Sequence, residues 1–145
     1  CHLGADGQYK DLLYYPVGAS NQLAKAGTDE AAIQMTGSEV FKVAVKTLGG
    51  IASETLEKAG VDKSELDWLI PHQANIRIIQ ATAKRLGLPM DKVILTVQDH
   101  GNTSAASVPM ALDVGIRDGR VKKGQLILME AFGGGFTWGS ILMRL

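Results

Sequence analysis

The 145 residues suffice for one domain with a substantial core, and 46% apolar against 21% charged residues excludes a disordered chain. Fifteen basic residues balance fifteen acidic ones, so no overall field selects nucleic acid or a membrane surface as partner. No apolar stretch approaches the roughly 20 residues of a membrane-spanning helix. The single cysteine, Cys1, rules out an internal disulfide, and the histidines at 2, 72 and 100 lack the i,i+4 spacing of a helical metal site. No metal is therefore expected, and a cytoplasmic address is. Cys1-His2-Leu3-Gly4, with no initiator methionine, reads as the middle of a longer sequence.

In chain order, Leu12 to Tyr15 is a short β-prone run closed by Pro16 and Gly18. Residues 20–35 are polar and irregular, a surface loop or short helix. Thr36-Gly37-Ser38-Glu39 has the form of a capping box, and apolar positions 41, 44, 48, 51, 52 and 56 keep helical spacing until Gly60. Asp62 to Glu65 starts a second short helical turn in the same way. Trp68-Leu69-Ile70 reads as a strand buried on both faces. A helix follows from Asn75 to Leu86, ended by Gly87, with Ile76, Ile79, Ala83 and Leu86 as its buried stripe. Val93 to Val97 reads as a strand, 103–117 as a helix, and 125–132 and 136–145 as two strands joined through Gly133-Gly134-Gly135. Strands alternating with helices predict an α/β fold: a mixed, mostly parallel sheet with helices, ending in an antiparallel strand pair.

In such sheets ligands bind beyond the carboxyl ends of the strands. His72 follows one strand, Asn102 the next, and the triple glycine a third. One imidazole and one carboxamide can hydrogen-bond an oxygen as negative charge develops on it. Glycines admit a second oxygen to backbone N–H groups. Two oxyanion sites suit a reaction that builds an enolate and a tetrahedral adduct, as in thioester carbon–carbon chemistry. Taken alone, Asn102 reads most simply as a helix N-cap, and a lone His beside a proline as a structural residue. Glu130, in an apolar strand, is expected to bond to the site's backbone or to water. Trp68 and Trp138 read as core, and His2 and His100 as structural or exposed.

Three motifs resemble the β-ketoacyl-acyl-carrier-protein synthase III family: Pro71-His72-Gln73-Ala74-Asn75, His100-Gly101-Asn102-Thr103-Ser104-Ala105-Ala106-Ser107, and Ala131-Phe132-Gly133-Gly134-Gly135-Phe136-Thr137-Trp138-Gly139. The resemblance implies a thiolase-like fold and a chain, 1–145, that is the C-terminal half of an enzyme whose nucleophilic Cys belongs to the absent N-terminal half. It implies decarboxylative condensation of acetyl-CoA with malonyl-acyl carrier protein, with no cofactor beyond these substrates. Carried over, His72 and Asn102 would stabilise the enolate, Gly134 N–H would serve the condensation oxyanion, and Phe132 would pack beside the nucleophile. Gly37, Phe41, Ala74 and Asn75 match positions lining the pantetheine tunnel. Lys42, Arg77, Lys84 and Arg85 match the basic patch that docks acyl carrier protein. The expected partners are that carrier protein, a CoA thioester, the N-terminal half and a second copy in a homodimer, with no nucleic acid and no membrane. The chain alone is expected to be inactive. Two other readings remain open: a Cys-His-Asn hydrolase using Cys1 as nucleophile, and a non-catalytic module that binds carrier protein.

Overall fold

A computed structural model describes residues 1–16 and 27–145. A four-stranded sheet runs in the order β1 (His2–Ala5), β6 (Thr137–Arg144), β5 (Leu126–Gly133), β4 (Trp68–Pro71). β4 and β5 are parallel; β5–β6 and β6–β1 are antiparallel. The helices α1 (Gly37–Ala59), α2 (Ile76–Leu86), α3 (Val97–His100) and α4 (Ser107–Arg117) complete the framework, and β2 (Leu13–Tyr14) pairs with β3 (Gln34–Met35) as a separate ribbon.

Two-residue alternation along the strands explains the layering. Leu69 and Leu128 point to one face, where they meet Ala52 and Leu56 of α1 and Ile79, Ala83 and Leu86 of α2. Ile70 and Ile127 point to the other, where Ala111 of α4, Ile94 and Val121 cover them. β4 is thus buried on both faces, as its apolar run predicts. α1 and α2 stop at Gly60 and Gly87, which take the left-handed conformation (φ 65° and 72°) that glycine adopts without strain.

Several expectations are corrected. Thr36 precedes α1 without a side-chain cap, and Glu39 turns outward to accept from Lys42 Nζ at 2.8 Å instead of reaching back, so neither half of the expected capping box forms. The capping box does form at Asp62 and Glu65. His2–Ala5, too poor in apolar residues to read as a strand, pairs with β6. In the 20–35 stretch, residues through 26 lie outside the described set, as does Gly18, while Gln34–Met35 is a strand. The 93–97 segment makes one parallel bridge, Leu69 to Val93, and then leaves the sheet for α3, so the parallel portion is smaller than the pattern suggests. The helix expected from 103 begins in full at Ser107, after a 3₁₀ turn at Ser104–Ala106. Ile76 is 38% exposed at the first turn of α2, and Thr82 takes its place in the buried stripe.

Candidate active site

His72 leaves the end of β4 with its backbone N–H donating to Glu130 O on β5 at 2.8 Å. Its half-buried ring places Nδ1 2.5 Å from the Ser107 hydroxyl at the start of α4. The same hydroxyl oxygen accepts the Gln73 N–H at 3.2 Å. Burial lowers the His72 pKa from 6.5, so the ring is neutral at pH 7. With Nδ1 engaged, Nε2 is the nitrogen left to meet a ligand.

Gln73, 1% exposed, ties the neighbouring strand ends together. Its Nε2 donates to Pro71 O (2.7 Å) and Ile94 O (3.2 Å), and its Oε1 accepts from Thr96 N (2.9 Å) and Val97 N (3.2 Å). These bonds meet the buried backbone groups that a strand at 94–97 would otherwise have paired, which is why that segment turns away into α3.

Asn102 is exposed and folds back on its own turn, its Oδ1 accepting the Ser104 N–H at 2.9 Å. Because a backbone N–H can only donate, the bond fixes which end of the carboxamide is Oδ1, and Nδ2 is the end left to donate. The turn uses unusual backbone: Gly101 has φ 64° with ψ −156°, and Ser104 has φ 54°, a left-handed value rare outside glycine. His72 is thus fastened to Ser107, and Asn102 to Ser104, within one four-residue stretch.

After β5, which ends at Gly133, the chain turns through Gly134, Gly135 and Phe136 into β6. A Cβ on Gly134 would stand 3.2 Å from Leu13 O, so the bare turn packs tightly against the first residue of β2. The Gly134 N–H makes no hydrogen bond among the described residues. Phe136 closes the turn from beneath, its ring 4.6 Å from Phe132 and stacked on Tyr9 at 5.4 Å. An open cavity of about 570 Å³ lies alongside, lined by His72, Ser104, Ala105, Phe132 and Gly133 among others.

Glu130 also borders this cavity. It is fully buried and neither carboxylate oxygen has a partner among the described residues, so the bond to the site's backbone allowed by the sequence is not made. Burial pushes its pKa up to about 8, so it carries its proton at neutral pH.

The family described as 3-oxoacyl-[acyl-carrier-protein (ACP)] synthase III C terminal matches residues 56–145. The chain belongs to this family. A β-ketoacyl-[acyl-carrier-protein] synthase III of Thioalkalivibrio sulfidiphilus is 63% identical over 143 residues, covering 99% of this chain and 44% of that protein. The same-named protein of Methylococcus capsulatus is 62% identical over 144 residues, with the same two shares. The crystal structure of 3-oxoacyl-[acyl-carrier-protein] synthase III from Aquifex aeolicus VF5 superposes with a TM-score of 0.88 at 45% identity, over 99% of this chain and 43% of that one. The chain therefore spans less than half the length of the curated relatives it matches, and its α/β fold is the synthase III, thiolase-like one.

Within this synthase III fold the expected residues fall into two groups. His72 and Phe132 line the cavity; Asn102 and Gly134 do not, although Gly134 follows Gly133 and Asn102 is hydrogen-bonded to Ser104, both of which do. Phe41 and Arg77 meet instead at the amino-terminal ends of α1 and α2, the guanidinium 5.4 Å from the ring centroid. Gly37 belongs to the first turn of α1, while Ala74 and Asn75 lead into α2, where Asn75 Oδ1 caps the helix by accepting the Arg77 N–H at 2.9 Å. The cations are spread out. Lys42 is paired with Glu39, and Lys84 and Arg85 occupy the last turn of α2, roughly 10 Å along the axis from Arg77. Arg85 lies across α1 at Gly49, where an added Cβ would fall 2.2 Å from its Cδ.

Cys1 is exposed at the head of β1, and β1 and β4 are the outermost strands of the sheet. Three inter-strand steps of about 4.8 Å put it roughly 14 Å from His72, too far for a nucleophile and its base. Trp138 is half-buried beside the cavity and not in the core, its indole held against Gly4. Trp68 is half-buried and donates Nε1–H to Gln125 Oε1 at 3.0 Å. His100 is exposed, and His2 Nε2 sits 3.0 Å from Lys58 Nζ. Gln73 and Ser107 were not singled out from the sequence. A glutamine directly after an apolar strand was the available signal for the first; Ser107 is indistinguishable from its small neighbours.

Proposed function

We propose that this chain is the carboxyl-terminal half of a β-ketoacyl-acyl-carrier-protein synthase III that condenses acetyl-CoA with malonyl-acyl carrier protein. The acetyl group passes to a Cys thiolate supplied by the N-terminal half, releasing CoA. The malonyl carbon–carbon bond to carboxylate then breaks and carbon dioxide leaves. The electron pair of that bond delocalises onto the thioester oxygen, and the resulting enolate carbon attacks the acetyl-enzyme carbonyl. The tetrahedral adduct then collapses to expel the Cys thiolate and release the β-ketoacyl thioester. His72 Nε2–H and Asn102 Nδ2–H₂ donate to the enolate oxygen, and Gly134 N–H, with the Cys amide, meets the oxyanion of the condensation. The observation that carries this reading is the shared anchoring of His72 Nδ1 and Asn102 Oδ1 on residues 104–107, which leaves His72 Nε2 and Asn102 Nδ2 as the side-chain nitrogens open to a ligand.

Gly37, Phe41, Ala74 and Asn75 line the pantetheine path in this reading, and Phe132 packs beside the nucleophile. Lys42, Arg77, Lys84 and Arg85 receive the acidic carrier protein. No cofactor is required, the enzyme works as a cytoplasmic homodimer, and this chain by itself turns over no substrate. The test uses the full-length enzyme with His72→Ala and Asn102→Ala. Each is expected to slow malonyl decarboxylation about 10²–10³-fold while acetyl transfer to Cys falls much less. Equal loss in both half-reactions would falsify the assignment, and carrier-protein binding without any condensation would leave only an interaction module.

A further inference from the structure

The Ser107 hydroxyl is a buried group with three hydrogen-bonding tasks and two neighbours. It is 1% exposed, it accepts the Gln73 N–H at 3.2 Å, and it lies 2.5 Å from His72 Nδ1. Among the described residues its own hydrogen has no other acceptor. If Nδ1 carried the imidazole proton, Ser107 would accept twice and its hydroxyl hydrogen would be stranded in the interior. If Nδ1 is bare, the hydroxyl donates to it, Gln73 N–H is still satisfied, and every group is used. An unmade bond on a buried hydroxyl is sufficient to bias the two tautomers by about tenfold or more.

We infer that Ser107 is a positioning residue that fixes His72 as the neutral Nε2–H tautomer, aiming a proton donor into the cavity. Its consequence for catalysis rests on the proposed enolate-stabilising role of His72. The inference itself does not, because the hydroxyl selects the tautomer whatever ligand Nε2 meets. Ser104 N–H does the corresponding work for Asn102 by holding Oδ1. The stretch that begins α4 therefore fixes the donor sense of both side chains before any substrate arrives. A ring in the wrong tautomer would present a lone pair to a developing anion and repel it.

The test is ¹⁵N-histidine NMR of the full-length enzyme, read with the two half-reactions. The wild-type His72 is expected to show Nε2–H with Nδ1 accepting. In Ser107→Ala the Nε2–H to Nδ1–H ratio is expected to fall at least about tenfold, decarboxylation to fall by a similar factor, and acetyl transfer to stay within about twofold. Ser107→Thr, which restores the hydroxyl, is expected to restore the tautomer. A wild-type ring protonated on Nδ1 overturns the inference without any variant, so the test survives if Ser107→Ala fails to fold. An unchanged tautomer in folded Ser107→Ala overturns it too. If the tautomer follows Ser107 while His72→Ala still decarboxylates normally, the positioning inference stands and the proposed enolate role falls.

Discussion

The carboxyl end of β4 and the outer face of α2 are joined by only four residues, yet they handle polar groups in opposite ways. At the strand end Gln73 and Ser107 are buried, and, apart from the Gln73 bond to Pro71 O, their side-chain hydrogen bonds span 21 to 35 residues of sequence. On α2, Arg77, Lys84 and Arg85 are exposed, and among them only Arg77 and Arg85 lean on a specific neighbour, Phe41 and Gly49 respectively. A site that must hold atoms to within fractions of an ångström is over-determined by buried bonds. A surface that greets a mobile partner relies on charge, which water and salt weaken. The first should therefore fail abruptly when altered, and the second by degrees.

Gln73→Ala is the harshest test of that contrast. It strands two backbone amides and two carbonyls at once, and at 1–3 kcal/mol for each unpaired buried group the loss should reach about 3–5 kcal/mol after relaxation, measured by urea unfolding. A loss below about 1 kcal/mol would mean that the clamp is replaceable by water.

Glu130→Gln sharpens the comparison from inside the buried region, because Glu130 is as hidden as Gln73 but its carboxyl has no partner among the described residues. Its folded pKa is raised from 4.5 to about 8, so the folded state retains a proton that the unfolded chain has released. Stability from this group is complete below pH 4.5, declines as pH rises, and is gone past about 8. His72 acts in the opposite sense: its pKa is depressed below 6.5, so its contribution is present above that pH and lost on acidification. Glu130→Gln should flatten the decline between pH 5 and 8 in thermal melts of the full-length protein. An unaltered slope would show that Glu130 is paired there.

How much of this was legible in the sequence depended on the range of the forces involved. α1, α2, β5 and β6 could be read because glycines at 60, 87 and 133–135 punctuate apolar periods of 3.6 and 2. His72, Asn102 and the glycine turn stood out by chemistry and by family resemblance. The escape of 94–97 from the sheet, the late start of α4 and the roles of Gln73 and Ser107 could not be read. The first and the last depend on side chains bonding to residues remote in sequence, and the start of α4 on the local Asn102–Ser104 turn; neither leaves an apolar period. β1 was missed because Leu3, 76% exposed, gives its strand no buried apolar partner from this chain.

The gentlest effect belongs to the α2 face. Arg77→Glu should weaken acyl-carrier-protein binding by about tenfold at low salt, with the difference shrinking as salt is raised, and leave CoA substrates nearly unaffected. Titration by calorimetry at two ionic strengths checks it. Loss of CoA turnover as well would place Arg77, through its contact with Phe41, in the substrate path instead.

The account turns on two N–H donors, fixed in advance by one stretch of chain, meeting on a single oxygen. The most direct measurement is a crystal structure of the full-length enzyme with a non-cleavable malonyl thioester analogue bound. The carbonyl oxygen is expected about 3 Å from both His72 Nε2 and Asn102 Nδ2, with Nδ1 still on Ser107. An oxygen held by only one of the two, or facing His72 Nδ1, would contradict it.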